Sequence, residues 1–433
     1  MWWLGVAALL AYASLRMTWG EAGEAGGTLM AVLGLAAVLI YGRGIRRSAS
    51  LWLLLAALLV QTLSWGLGYL HHPQWVASNP ELDRLAKLFI FIAVAWWLGG
   101  STRNTLLLWG VALAGYLVAS FTLGDGVQEW LRGLGGQRVG FGVRNLQHGA
   151  MLFGVALIGV VIFARRFVMS DGTVVGWRAL IWLVVFGLCV TGIFIGQTRA
   201  VWLGTLSSFL VAAGLVGVWR YRQGHGRRLV RPLLISLAVV VALSTLVGVA
   251  FKDPMLERVT KESEVIAQIV RGDVEAVPYT SIGIRIHTWV AASEWIAERP
   301  WVGWGGQGRS LVIDHTPWLP DFVKEHFGHL HNFLIEIWVA YGLLGVLLIA
   351  ALAVWVGMGT WHAWRGGMMP NDVALFGAAF FIYWMVVNQF ESYNSFGTGV
   401  YVHNLVVGGL VTHIWRWQSM TGRSVISLPG RSS

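Results

Sequence analysis

The segment HLHNFLIEIWVAYGLLG, His329 to Gly345, sets two histidines and an asparagine at the mouth of a long apolar run. Asn332 is placed to cap the helix that this run predicts, because its short side-chain oxygen can accept from the first free backbone N–H groups. His331 then stands at a helix N-terminus. The positive end of the dipole there disfavours imidazolium, so the ring is expected to be neutral and able to accept a proton. A bound anion nearby would act in the opposite sense. Two other readings are open: His331 as a plain interfacial capping residue, and His326, His329 and His331 as a zinc-holding H-x-x-H-x-H set. Against zinc, His329 and His331 point to different sides of an extended segment, and no cysteine assists. No metal is therefore expected.

Anion chemistry needs cations, and arginines stand out. In GQTRAVWLG, Gly196 to Gly204, two apolar runs meet with almost no loop, which holds Arg199 at or just below the membrane surface. An arginine costs ~2.5–3.5 kcal/mol at the centre of a span and less near the interface. Arg199 either snorkels to water or clamps an anion, and the tight turn restricts its escape. Arg285 lies on a helix predicted to start near Ser281 as N-cap and to stop at Pro300. Arg285, Trp289, Ala292 and Ile296 share one face of it. That apolar face must pack down, so Arg285 should point toward the membrane domain, in an ordinary salt bridge or on a ligand. Guanidinium forks match phosphate oxygens in pairs, and two of them suit a diphosphate. Lys87, in DRLAKLFIFIAVAWW, either snorkels or assists with a lipid phosphate. Weaker signals are Arg138, Arg144 and Asn145 in QRVGFGVRNLQHG, and the glycine run GWGGQG at Gly303 to Gly308, which permits close backbone approach and equally simple turns.

These groups must be positioned by membrane helices. The chain is 56% hydrophobic and 12% charged, against about 25% charged residues in soluble domains. About twelve runs approach the ~20 apolar residues of a helical span, near 2–19, 28–42, 51–69, 86–100, 105–123, 147–164, 179–197, 200–218, 233–251, 332–356, 373–392 and 399–416. The net charge of +10 does not indicate nucleic acid, because its arginines lie in short loops between apolar runs. Arg43, Arg46 and Arg47, Arg103, Arg165, Arg166 and Arg178, Arg220, Arg222, Arg227, Arg228 and Arg231, Arg365, Arg416, Arg423 and Arg431 all fall on one side. The positive-inside rule makes that side cytoplasmic, with both termini there. Met1 to Trp19 has no basic leader and no clear cleavage site, so it is expected to stay as the first span. Cys189, the single cysteine, lies in an apolar run and can form no intrachain disulfide.

The expected layout is nine spans over 1–251, an outer insert over 252–331, three spans over 332–416 and a cytoplasmic tail over 417–433. The insert mixes acids, bases and prolines and should fold, and no internal repeat is visible. Every group singled out above falls on the outer side.

Taken in order, these pieces resemble the O-antigen ligase family, part of a wider group with O-antigen polymerases and oligosaccharide-to-protein ligases. The matching pieces are T-R-A at Thr198–Ala200, R-x-x-x-W at Arg285–Trp289 and P-x-x-G-x-G at Pro300–Gly305, then H-N at His331–Asn332 and G-x-x-G at Gly342–Gly345. One departure is Gln197, where serine is expected more often. The resemblance implies an all-α, GT-C-like polytopic membrane fold and a metal-independent transfer that needs no cofactor. The donor would be O-antigen polysaccharide on undecaprenyl diphosphate, and the acceptor a sugar hydroxyl of lipid A–core on the periplasmic side of the inner membrane. Within it, His331 is expected to act as general base, with Arg199 and Arg285 on the diphosphate. Lys87, Arg138, Arg144, Asn145, Trp289 and Asn332 are expected in substrate binding. Rival readings are O-antigen polymerase, protein O-oligosaccharyltransferase and a lipid-linked glycan flippase. A flippase should carry its charges along a path open to both sides.

Overall fold

A computed structural model describes residues 1–143, 145–224, 268 and 276–426. The expected ninth span, the insert before Ala276, Arg144 and the last residues of the tail lie outside the described residues. The other expected spans fall on helix, the fourth on two helices joined by a 3-10 turn and the eleventh on a helix that stops short at Val387, in an all-α membrane protein. The helices are α1 (Trp2–Leu15), α2 (Gly20–Tyr41), α3 (Ala49–His71), α4 (Asp83–Ala86), α5 (Phe91–Leu98), α6 (Thr102–Thr122), α7 (Val127–Leu134), α8 (Leu146–Ile162), α9 (Ala164–Val168), α10 (Gly176–Ile195) and α11 (Arg199–Arg222). After them come α12 (Ser281–Glu298), α13 (Gly308–His315), α14 (Asp321–His326), α15 (Phe333–Arg365), α16 (Asn371–Val387) and α17 (Gly397–Thr421). A two-residue hairpin, Met169–Ser170 against Thr173–Val174, turns the chain before α10.

Among the described residues six helices are long and apolar enough to cross a membrane: α2, α3, α6, α10, α11 and α15. α1, α8 and α16 are shorter apolar helices. α17 is long but carries His403, Asn404, Thr412 and His413, all buried. It runs through the middle of the bundle, packed on α5, α6, α15 and α16, and so needs little apolar surface of its own. Its polar side chains repair a break elsewhere. The expected fourth span is not one helix: α4 gives way to a 3-10 turn, Lys87–Phe89, before α5. Asn404 Oδ1 accepts from the Phe91 N–H (2.7 Å), and its amide donates to the Lys87 carbonyl (2.8 Å). Broken backbone at membrane depth is tolerated only with such partners.

The arginine-rich loops gather at one end of the bundle, where Arg166 grips Asp372 with two bonds and Arg416 donates to the Gly100 carbonyl. The opposite end collects the starts of α8, α11, α15 and α17, the ends of α10 and α16, and the insert carrying α12 to α14. The described part of the insert, from Ala276 on, packs around Ala291, Trp295, Trp304, Val312 and Val323, with Val339 of α15 joining their cluster. Its N-cap is Thr280, not Ser281: Thr280 Oγ1 accepts from the Gly283 N–H. The most buried face of α12 runs through Ile284, His287, Ala291 and Trp295, so Arg285 and Trp289 lie at its edge, half-buried.

Insert and membrane helix are locked together by two of the glycine motifs. α15 is broken at Gly342 (φ 63°, ψ −164°), and the chain from Pro300 to Gly305 fills the break. The Leu343 and Leu344 N–H groups donate to the Pro300 and Trp301 carbonyls, and the Trp304 and Gly305 N–H groups donate to Val339 and Ala340. A Cβ at Gly342 would lie 2.1 Å from the Trp301 carbonyl carbon. Its backbone conformation alone costs any other residue roughly 1–3 kcal/mol. Gly342→Ala should therefore lower the thermal unfolding midpoint of the detergent-solubilised protein by several degrees. An unchanged midpoint would show that the loop can leave the break freely.

Candidate active site

The chain enters α15 through a strained residue. His331 has φ +53°, a left-handed conformation uncommon outside glycine. Asn332 follows as N-cap, as expected from sequence, its Oδ1 accepting from the Leu334 and Ile335 N–H groups (3.0 and 3.2 Å). Its amide donates to Gln389 Oε1. Trp289 fixes the approach from α12 by donating its indole N–H to the Leu330 carbonyl at 2.7 Å. This explains the R-x-x-x-W spacing: the tryptophan fastens the histidine loop to α12, and Arg285 sits one turn away on the same helix.

The partner of His331 is Glu391, in the turn between α16 and α17. Its carboxylate is fully buried. Oε2 lies 3.0 Å from His331 Nδ1 and accepts from the Gln147 amide at 3.0 Å. Oε1 lies 2.9 Å from His329 Nε2 and accepts from the Ser392 N–H at 3.0 Å. Burial alone would raise this carboxyl, but the hydrogen bonds from the two histidines hold it well below the usual carboxylate range. It stays ionised, so Nδ1 of His331 is the donor and Nε2 is left with a free lone pair. The His331 pKa is lowered, in the direction expected from sequence but for another main reason. Burial is the largest influence, the Glu391 bond opposes it, and the charges of His329 and Arg285 push it down further.

Glu391 was missed because the expected eleventh span ran through 392, whereas α16 stops at Val387. The one available signal was an acid closing an apolar run, in NQFESYNS. The expected divergence of His329 and His331 does not hold. The positive φ at His331 breaks the extended alternation, and the two rings lie 3.9 Å apart, both turned toward Glu391. His326 is elsewhere, bonded to the Phe322 carbonyl, so the three-histidine set does not assemble. His329, His331 and Glu391 are close enough to hold an ion between them.

The cations arrive from several elements. Arg285 acts on the charge of His331 and, with Arg138, on Tyr393, which is two residues from Glu391. Arg138 donates to the Gly196 carbonyl (3.2 Å) and to Thr198 Oγ1 (3.3 Å). It is thereby fastened beside the exposed Arg199, the first residue of α11, where free N–H groups and the helix dipole also favour an anion. Gln197, with φ +45°, holds this turn by donating to the Gly136 carbonyl at 2.8 Å. Asn145 caps α8, accepting from the Gln147 N–H, and so positions the glutamine that braces Glu391. Lys87 is not in this group. It pairs with Asp83 and faces a separate cavity.

Fold and site together define a multi-pass, all-α membrane protein with a histidine–carboxylate pair beside a set of arginines at one end of the bundle. Residues 184–350 match the family model described as O-antigen ligase. Over that segment, less than half of its length, the chain is similar to the O-antigen ligase family. Arg199, Arg285, His331 and Asn332 lie inside the match, and Glu391 and Arg138 outside it. No curated protein matches the chain.

Proposed function

We propose that the protein is an O-antigen ligase that moves O-antigen polysaccharide from undecaprenyl diphosphate to a sugar hydroxyl of lipid A–core, on the periplasmic face of the bacterial inner membrane. The observation that carries this reading is the pair of half-buried His331 and buried Glu391, with Nδ1 and Oε2 3.0 Å apart. It gives a base whose free nitrogen can take a proton and whose cation has a counter-charge waiting.

Nε2 of His331 removes the proton of the acceptor hydroxyl as that oxygen attacks the anomeric carbon of the donor. The bond from that carbon to the diphosphate oxygen breaks, and the diphosphate leaves with the electron pair. Configuration inverts. Arg199 and Arg285 take up the charge that grows on the leaving group, a contribution commonly worth ~2.7–4 kcal/mol per preorganised group. Arg138 holds the Arg199 turn in place. Proton transfer of this kind typically contributes 10²–10⁴-fold. No nucleotide is required, because lipid diphosphate is already a good leaving group.

A metal among His329, His331 and Glu391 would take Nδ1 of His331, the nitrogen that faces Glu391, and leave the ring proton on Nε2, which could then not act as base. Ligation is therefore expected to persist at full rate after exhaustive chelation. Loss on chelation, restored by zinc alone, would replace the base with a metal site. The decisive assay combines purified protein, lipid-linked glycan and lipid A–core. Product is expected only when lipid A–core is present. Chain growth from the lipid-linked glycan alone would make the protein a polymerase.

A further inference from the structure

Phe396 meets the ring of His329 edge-on at 5.1 Å, and it also lines a second cavity of about 710 Å³ at the same end of the bundle. α1, α2, α13, α15, α17 and the broken fourth span enclose it, so it shares none of the helices that carry Arg199 and Arg285, nor the loop that carries Arg138. Its walls are mixed. Val32, Ile90, Ile337 and Val400 supply apolar surface, and Val32, near the middle of α2, is 62% exposed. Above them stand four cations: Arg16, Arg84, Lys87 and Arg309.

We propose that this cavity seats the acceptor: the phosphorylated sugar headgroup of a glycolipid, with part of an acyl chain against Val32 and Ile90. The inference rests on the reading of the reaction as transfer between two membrane-anchored glycans. Such a reaction needs two seats that lipids can reach from the side, and the diphosphate of the donor is assigned to the arginines around His331.

The chemistry of the rim separates the two seats. Each cation here has its own carboxylate: Arg16 with Glu24 (2.7 Å), Arg84 with Glu81 (3.0 Å), Lys87 with Asp83, and Arg309 with Glu336 (3.2 Å). Alternating cations and carboxylates offer both donors and acceptors. A sugar bearing hydroxyls as well as phosphate needs both. Glu24 and Asp83 are 65% and 60% exposed, and exposed pairs of this kind are weak, so a phosphate can replace either carboxylate. Glu336 is different. It is buried and accepts from Ser392, Ser395 and the Leu330 N–H, which fixes Arg309 against the turn that carries Glu391. A sugar held at Arg309 is thus next to the loop that presents His331.

The test uses the full-length protein in lipid nanodiscs, with Arg16→Gln, which removes the cation that the phosphate would take over from Glu24, and Val32→Trp, which fills the apolar part and changes no charge. In both, the lipid A–core concentration giving half-maximal ligation should rise by at least about tenfold, the effect of one charge-assisted hydrogen bond. The dependence on the lipid-linked donor should stay as in the parent. A shift in the donor dependence instead, or no shift in either, overturns the assignment. Native mass spectrometry of lipid A–core bound without donor keeps the two readings distinct. If the parent protein does not ligate but retains lipid A–core, and both variants lose it, the reaction fails and the seat stands. Equal retention by parent and variants removes the seat.

Discussion

Replacing His331 by alanine should lower ligation about 10²–10⁴-fold while the amount of protein in the membrane stays normal. The base is lost, together with its hydrogen bond to Glu391, which keeps its contacts to His329, Gln147 and the Ser392 N–H. Asn332 still caps α15 through its own oxygen, and Trp289 still fastens the loop through the Leu330 backbone. The substitution even relieves nothing essential to the fold, since alanine meets the same positive φ as histidine. Because burial lowers the His331 pKa, the wild-type rate should hold as pH falls through the ordinary range of histidine and decline only below it. Gel analysis of lipopolysaccharide reads the first result: polymer-bearing bands should vanish. Normal laddering in His331→Ala would remove the residue from the reaction.

The second large effect is expected at Glu391. Gln keeps the shape but replaces an acceptor oxygen with an amide that can donate. The imidazole then has no ionised partner to fix Nδ1 as the protonated nitrogen and none to stabilise the cation it forms. A loss of about 10²–10³-fold in turnover is expected, in line with removal of one preorganised electrostatic group. A second readout separates this from a structural defect. The Glu391 bond is what raises the His331 pKa, whereas burial, His329 and Arg285 lower it. Without the carboxylate the acid limb of the remaining activity should move to lower pH. Reduced activity with an unmoved acid limb would mean that Glu391 only supports the fold.

The layout of the membrane helices was legible because a lipid-facing helix must be apolar for most of its length, and arginines mark the loops between. The cap at Asn332 was legible because it is local. What could not be read depends on non-local partners. Glu391 looked like the tail of a span, since nothing in the neighbouring residues tells that α16 stops at Val387 and turns its next acid inward. The divergence of His329 from His331, which counted against zinc, assumed an extended chain, and one left-handed residue reversed that geometry. The polar residues of α17 gave no sign that they serve the break before α5, because the break lies more than three hundred residues earlier. The motifs R-x-x-x-W and G-x-x-G were visible as patterns, but their meaning, a tryptophan clasp and a gap for another segment, required the partner strand of chain.

The seam at Gly342 also bears on how the proposed substrates would reach the site. Peptide groups on both sides of it are already committed to each other, and the ring of Trp338 adds a further tie to Pro300. The outer portion bearing Arg285 and the helix that follows His331 consequently travel as one piece, with no pivot between them. Opening a lid over the reaction centre would tear this seam. For the transfer proposed above, the lipid substrates are then expected to enter sideways, beneath the joined segments.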